Sequence, residues 1–284
     1  MKLSKIFALL LALCLISSAA CAATFTDAHG NVIELDDSLE AYAAVTLVGA
    51  DNAARQGETN LGDLWADALR WFAVSGEINA AFDEDDAKAG NDRIAVDADH
   101  VVALWNGGNL RADIAEGTFG AEALAEVLPF PNKVAVVYMT GAQLLETLEA
   151  ASQGLPYTAE TADACASLMQ VSGLTYTVDT TKAYDALEAY GDHWFTAGSV
   201  SRVRIDDVNG QPFDAEATYA VVTSNANFNG MDSSYVLKAA AEANEQSAVT
   251  TAVVRDVVFR FIAAELNHQV GEAYAAPQGR LTIL

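Results

Sequence analysis

Apolar positions along the chain recur at two spacings, one typical of helices and one typical of short buried strands. The clearest helical pattern covers residues 61–78, where apolar side chains three and four positions apart share one face. Asn60 precedes this pattern, and its side-chain oxygen is suited to accept a free N–H of the first turn. The pattern therefore predicts a helix with Asn60 as its N-cap. Its buried face consists of Leu61, Leu64, Trp65, Ala68, Leu69 and Phe72.

Two further helices are predicted, one in the middle and one near the end of the chain. Thr140 is followed three residues later by Gln143, which is the spacing of a capping box, so a helix is expected to begin there. The last helix is predicted over residues 249–267. The apolar face of the first is Leu144, Leu145 and Leu148, and that of the second is Val254, Val257, Val258, Phe261 and Ile262.

Short apolar runs bounded by turn residues predict strands. They cover residues 101–105, 133–139, 171–178, 200–205, 218–223 and 280–284. Turn signals stand at Gly30-Asn31, inside a predicted hairpin over 25–35, and at Asn209-Gly210. Residues 83–100 and 151–166 are predicted loops. Since no linker or repeat interrupts residues 24–284, these helices and strands predict a single compact α+β domain. In this domain the helices are expected to pack on a mixed β-sheet, and residues 24–54 are expected to form a hairpin extension.

Residues 1–23 have the layout of a secretory signal peptide. Lys2 and Lys5 form a basic start, residues 6–16 are apolar, and small residues follow. The apolar run is too short to cross a bilayer, which needs about 20 apolar residues. We therefore expect an exported chain, in the periplasm or outside the cell, without a transmembrane segment. Residues 20–22 and 21–23 both fit the cleavage site. Alternatively, Cys21 carries a lipid anchor, although the leucine usual three residues earlier is missing.

The charge of the chain narrows its possible partners. It carries 39 acidic against 15 basic residues, a formal net charge of −24. Such a surface repels phosphate backbones, which excludes nucleic acid as a partner. A phosphorylated ligand would need a local positive group. Only Cys165 lies well inside the predicted mature chain, so we expect no internal disulfide and interpret Cys165 as a small buried residue.

One turn combines features that favour ligand binding. The strand predicted at 101–105 ends on Asn106, Gly107 and Gly108, where the missing Cβ atoms would let backbone N–H groups approach a ligand. Arg111 follows with a planar fork of donors suited to phosphate. The alternative interpretation is a plain tight turn with a surface arginine.

Six segments in sequence order resemble one family. They are ETNLGDL at 58–64, running on to Ala68; NGGNLR at 106–111; VLPFPN at 127–132 with TGAQL at 140–144; QVSGL at 170–174; residues 219–232; and QGR at 278–280. Together they are similar to the C-terminal, substrate-binding domain of the 5′-nucleotidase and UDP-sugar hydrolase family, from about residue 55 to the end. The resemblance implies a 5′-nucleotidase C-terminal domain-like fold.

The resemblance also implies roles for individual residues. Phe130, in a proline-flanked loop, would stack on the nucleobase, whereas the alternative is a core phenylalanine at a loop edge. Asp232 keeps the family's acidic position, but Ala226 stands where the family has a second aromatic residue. Phe228, two residues later, could take its place. The substrate-binding residues implied are Asn106, Gly107, Gly108, Arg111, Phe130, Phe228 and Asp232.

The family's chemistry belongs to a preceding metallophosphatase domain, which holds two divalent metals with aspartate, histidine and asparagine ligands. This chain has four isolated histidines, and only Asp27 to His29 echoes the first metal motif. It also has no nucleophile elbow, P-loop or paired CxxC motif. We therefore expect no catalytic residue, metal ligand or cofactor in it. The histidines are His29, His100, His193 and His268.

These observations lead to one hypothesis and two alternatives. The hypothesis is an exported recognition domain of nucleotide salvage that binds a nucleotide or nucleoside, alone or together with a separate metallophosphatase chain. One alternative is an active hydrolase of phosphoric esters, as the family's activity implies. The other is a degenerate, non-catalytic structural or interaction protein of the cell envelope.

Overall fold

The structure of the protein is a computed structural model that describes residues 23–26, 32–35, 40–82, 94–190 and 194–284. Its α-helices are α1 (Ala53–Gln56), α2 (Asn60–Val74), α3 (Ala121–Val127), α4 (Gly141–Ala151), α5 (Asn225–Phe228), α6 (Tyr235–Ala243) and α7 (Val254–Glu265). Its strands are β1 (Ala23–Thr26), β2 (Val32–Leu35), β3 (Glu40–Ala43), β4 (Val101–Asn106), β5 (Gly117–Gly120), β6 (Lys133–Thr140), β7 (Met169–Ser172), β8 (Leu174–Val178), β9 (Ala186–Tyr190), β10 (Trp194–Ala197), β11 (Val203–Val208), β12 (Thr218–Ser224), β13 (Ala248–Val253), β14 (Gln269–Val270) and β15 (Leu281–Ile283). Short 3₁₀ turns cover Glu77–Ala81, Ala98–His100, Gly107–Asn109, Ala164–Ser167 and Glu272–Tyr274.

A five-stranded sheet in the order β13-β6-β12-β4-β7 forms the centre of the fold. β4 and β12 run parallel, whereas β6, β7 and β13 are antiparallel to their neighbours. The carboxyl ends of β4 and β12 therefore lie at one edge, together with the first residues of β6 and β7. Here Asn106 lies opposite Met169, and Ser224 lies opposite Val134. We call this the Asn106 edge.

Hydrophobic cores cover both faces of the sheet. Residues of β4 alternate between them, since Ala103 and Trp105 join the first core while Val102 and Leu104 join the second. Helices α2 and α7 pack in the first core, and α4 and α6 pack in the second. Because both faces are covered, β4 is apolar along its whole length. The predicted α+β class with a mixed sheet is confirmed.

The first predicted helix is α2, and all six residues of its predicted apolar face are fully buried. Its N-cap, however, is Thr59, whose Oγ1 accepts the Gly62 N–H at 3.0 Å. Asn60 instead lies inside the first turn. Its Oδ1 accepts the Val48 N–H at 2.8 Å, and its Nδ2 donates to the Tyr274 carbonyl at 2.8 Å. The predicted N-cap was wrong because this side chain is used in long-range hydrogen bonds.

The last predicted helix begins later than its apolar pattern indicated. Residues 248–253 form β13, which pairs with β6 at the side of the central sheet. This segment is rich in β-branched residues, whose restricted χ1 angles suit a strand. The helix α7 starts at Val254, and the predicted buried face from Val254 to Ile262 is confirmed.

Several other predicted elements are confirmed, although one predicted strand is divided into two. β4, β6 and β12 match the predicted strands and each extends one residue further. The capping box forms, with the Gln143 N–H donating to Thr140 Oγ1 at 3.2 Å. Gly173, with φ of +80°, divides the strand predicted at 171–178 into β7 and β8, which belong to different sheets. Asn209 and Gly210 form the predicted turn after β11 with positive φ at both positions.

Smaller sheets complete the described structure. They have the orders β1-β2, β10-β9, β11-β8-β15 and β14-β3-β5. β1 and β2 form the predicted antiparallel hairpin, although its Gly30-Asn31 turn lies outside the described residues. The predicted signal peptide up to residue 22, the acidic run at 83–86, His29 and His193 also lie outside them. No helix within the described ranges combines the length and apolar character needed to cross a bilayer.

Candidate functional site

Three loops meet at the Asn106 edge of the central sheet. They are residues 107–111 after β4, 128–132 before β6, and 225–234 after β12. The Arg111 N–H donates to the Val127 carbonyl at 2.9 Å, and the Lys133 N–H donates to Asn225 Oδ1 at 3.0 Å. These bonds join the loops to one another. The carboxyl ends of parallel strands commonly carry the ligand site in α/β sheets, so this edge is the candidate site.

Asn106 orients the carboxylate of Asp232. Its Nδ2 donates to Asp232 Oδ2 at 2.7 Å, and its Oδ1 accepts from Asn109 Nδ2 at 2.8 Å. Since Asn106 is fully buried, it acts on a ligand only through Asp232. Within the described residues, Oδ1 of Asp232 has no hydrogen-bond partner. That oxygen is available to a ligand.

The backbone around Asp232 adopts an uncommon conformation. Asp232 has φ of 52° and Ser233 has φ of 60°, which non-glycine residues rarely adopt. Asn227 holds this turn, since its Nδ2 donates to Ser234 Oγ at 2.9 Å and contacts the Met231 carbonyl at 3.4 Å. Strained residues that are held in this way cluster at ligand sites, which marks Asp232 as a functional candidate.

Arg111 and Phe130 form an exposed pair at the rim of the site. The Arg111 guanidinium carbon lies 5.7 Å from the centroid of the Phe130 ring, a cation–π distance. Phe130 is 41% exposed between two prolines. Within the described part of the chain, the Arg111 guanidinium makes no hydrogen bond or ion pair. Both side chains therefore offer free binding surface.

Arg55 is a second arginine at this site, and the sequence analysis missed it. Its Nη1 donates to the Ala162 carbonyl at 2.9 Å and lies 3.6 Å from Asp163 Oδ1. Burial raises the pKa of Asp232, and the positive charges of Arg55 and Arg111 oppose this rise. Both arginines thus act on the same carboxylate. The sequence did offer one indication of Arg55. Basic residues are few in this acidic chain, and Arg55 lies just before the 58–64 motif.

Gly107 and Gly108 serve close packing inside the protein. A Cβ on Gly107 would lie 1.9 Å from the Ala54 carbonyl oxygen, and one on Gly108 would lie 2.6 Å from Ala166 Cβ. The Gly107 N–H already donates to the Leu168 carbonyl at 2.7 Å. The expected free approach of a ligand to the Gly107 amide is therefore absent. Instead, Gly107 lets α1 dock, and this docking positions Arg55.

Phe228 lies apart from the exposed rim. It is half-buried and packs against the second core. The large apolar side chain exposed beside Asp232 is that of Met231, at 52%. The stacking role inferred for Phe228 remains a prediction that this interior packing does not support.

The described histidines, His100 and His268, make local contacts. Among the described residues, no three histidine, cysteine, aspartate or glutamate side chains form a group able to hold a metal ion. Nδ1 of His100 pairs with Asp97 Oδ1 at 2.6 Å, and Nδ1 of His268 lies 2.9 Å from the Glu40 carbonyl oxygen. These contacts anchor local structure away from the Asn106 edge.

The family model of the 5′-nucleotidase C-terminal domain matches residues 40–239 of this chain. The chain belongs to this family. All three loops of the Asn106 edge lie within the matched residues, so the candidate site is part of the 5′-nucleotidase C-terminal domain. The predicted family and fold are thereby confirmed.

Individual relatives of this 5′-nucleotidase C-terminal domain are longer proteins. The trifunctional nucleotide phosphoesterase protein YfkN of Bacillus subtilis (strain 168) is 28% identical over 188 residues, which are 65% of this chain and 10% of YfkN. The 5′-nucleotidase precursor of Thermus thermophilus is 28% identical, with a TM-score of 0.61, and the match covers 86% of this chain and 39% of that one.

A more distant structure shares the fold alone. The NAD nucleotidase NadN of Haemophilus influenzae is 15% identical with a TM-score of 0.57, and the match covers 86% of this chain and 38% of NadN. The chain thus spans less than half the length of the relatives that it matches.

Proposed function

We propose that this chain is an exported recognition domain that binds a nucleotide or nucleoside at the Asn106 edge. The observation that carries the proposal is the exposed Phe130 ring beside the unpaired Arg111 guanidinium and the oriented Asp232 carboxylate. A flat apolar ring, a cation and a hydrogen-bond acceptor are the three groups that a base, a phosphate and a sugar require.

Each group has a matching physical role. Phe130 stacks on the base, an interaction worth about 1–3 kcal/mol per base in nucleic-acid systems. Oδ1 of Asp232 accepts hydrogen bonds from sugar hydroxyl groups, and a charged acceptor strengthens them. The fork of Arg111 contacts a phosphate oxygen when the ligand has one.

The relatives support a nucleotide-type ligand. The names of the two relatives at 28% identity describe a nucleotide phosphoesterase and a 5′-nucleotidase. We extend the ligand class, but not the hydrolysis, to this chain, and we propose that a separate metallophosphatase chain supplies any chemistry. Export follows from the signal-peptide pattern of residues 1–23.

Thermal unfolding with adenosine, AMP, UMP and UDP-glucose tests the proposal. Binding to the folded state raises Tm with ligand concentration by mass action. Phe130→Ala should remove most of this rise, because the exposed ring contributes little to folding but much to stacking. Leu187→Ala, a truncation of another exposed apolar side chain, is the matched control and should keep the full rise.

Two other outcomes would favour the alternatives. No stabilisation of the wild-type chain by any of these ligands at millimolar concentration would contradict the proposal and favour a structural or interaction role. Nucleotide turnover by the purified chain with manganese, cobalt or zinc, lost on adding a chelator, would identify a hydrolase instead.

A further inference from the structure

Arg55 contacts both a backbone carbonyl and an exposed carboxylate through the same guanidinium nitrogen, Nη1. α1 docks on Gly107, and Nη1 of Arg55 donates to the Ala162 carbonyl, so the guanidinium is fixed. Asp163, whose Oδ1 lies 3.6 Å from the same Nη1, has a fully exposed side chain. The aspartate can leave this contact at little cost, whereas the arginine cannot.

Two carboxylates offset two of the cations at the Asn106 edge. Arg55 and Arg111 supply two positive charges, and Asp163 and Asp232 supply two negative ones. Lys133, the exposed first residue of β6, is a further cation at this edge. The chain as a whole is strongly acidic, with a formal net charge of −24. A doubly charged phosphate therefore meets little net attraction at the site and repulsion at long range.

Asp163 lies against Nη1 of Arg55, so its negative charge offsets the charge that would attract an anionic ligand. A carboxylate and a phosphate oxygen compete for the same guanidinium donors. We propose that Asp163 is a specificity-determining residue that lowers the affinity of the site for phosphate, so the ligand class taken best is the nucleoside rather than the nucleotide. This inference rests on the proposed nucleotide or nucleoside function and decides between its two ligand classes.

Isothermal titration with adenosine, AMP and inorganic phosphate tests the role of Asp163. The wild-type chain should bind adenosine at least as tightly as AMP. Because an exposed ion pair is weak, Asp163→Asn should strengthen AMP and phosphate binding only about two- to fivefold and leave adenosine binding unchanged. The gain should shrink in about 1 M salt, where exposed charges are screened.

Glu160→Gln is the matched control. Glu160 lies three residues away, is fully exposed and loses the same charge, but it does not contact Arg55. It should leave the ratio of AMP to adenosine affinity unchanged. An equal gain in both variants would overturn the inference, because it would reflect net charge alone.

The outcomes separate this inference from the proposed function. A wild-type chain that binds AMP tighter than adenosine, or an Asp163→Asn variant without gain for AMP or phosphate, would overturn the role of Asp163. Failure of both adenosine and AMP to bind the wild-type chain would contradict the proposed function. In that case the inorganic phosphate titration still decides whether Asp163 competes for Arg55.

Discussion

Two carboxylates, the fully buried Asp63 and the half-buried Asp232, differ in which charges of the chain compensate them. Asp63 on α2 is fully buried, and its Oδ2 accepts the Gln278 N–H at 3.0 Å. Arg280 lies 3.7 Å from Asp63 but binds Asp67 at 2.8 Å. Nearby, Glu58 Oε2 accepts the Leu281 N–H at 3.0 Å. The cluster ties β15 to α2, and the side chains of Arg280 and Asp67 are only 18% and 20% exposed.

Asp232 has the opposite arrangement. Asn106 satisfies one of its oxygens from inside the protein, while the guanidinium of Arg111 remains exposed. In the Asp63 cluster, Arg280 forms an ion pair with Asp67 of the same chain. At the Asn106 edge, the exposed Arg111 remains accessible to a ligand. A carboxylate removed from solvent therefore marks a candidate ligand site only where its compensating charge stays accessible.

The largest effect is expected from removing the cation of the closed cluster. Arg280→Ala leaves the Asp67 carboxylate, which is only 20% exposed, without its charge partner, a change that costs about 3 kcal/mol of unfolding free energy. Arg204→Ala, whose side chain is largely exposed beside Asp206, should cost less than about 1 kcal/mol. Urea denaturation of both variants measures the difference. Equal losses of unfolding free energy would show that the Asp63 cluster stabilises the fold no more than an exposed ion pair does.

The Asp63 cluster should also make stability depend on pH. Burial, followed by the charge of Glu58, raises the pKa of Asp63 from 3.8 to about 8, against the opposing charge of Arg280. Between these values the folded chain holds more protons than the unfolded chain, so the stabilising contribution is complete below pH 3.8 and declines up to about pH 8.

Asp63→Asn should remove this decline. Its unfolding free energy relative to the wild type should rise as the pH increases from about 5 to 8, because the wild type alone loses stability over that range. Urea denaturation at several pH values measures it, with Glu160→Gln as the exposed control. A constant difference between Asp63→Asn and the wild type would refute a protonated Asp63.

The smallest effect on stability is expected at the open site. Arg111→Ala should change the unfolding free energy by less than about 0.5 kcal/mol, since the side chain is exposed. It should nevertheless weaken AMP binding about tenfold and adenosine binding much less. Arg204→Ala removes the same charge from β11 and is the control. Parallel loss of both ligands in Arg111→Ala would contradict a phosphate contact.

The sequence predicted those features that depend on near neighbours. The buried face of α2 from Leu61 to Phe72 follows from helical spacing alone, and the capping box needs only Thr140 and Gln143. Asn106 and Arg111 were singled out because they belong to a turn after a predicted strand, and Phe130 was singled out through the family resemblance. These three residues do meet at one edge, together with Asp232.

Other features were decided by residues far apart in the chain. Asn60 could not be recognised as a residue of the helix interior without its hydrogen bond to Tyr274. Residues 248–253 form a strand because they pair with β6. Arg55 entered the site through contacts with Gly107 and Ala162. Local spacing thus predicted most of the helices and strands, and motifs in sequence order carried the family resemblance. Only tertiary packing decided which charges are paired within the protein and which stay accessible to a ligand, because burial and charge pairing depend on distance in space.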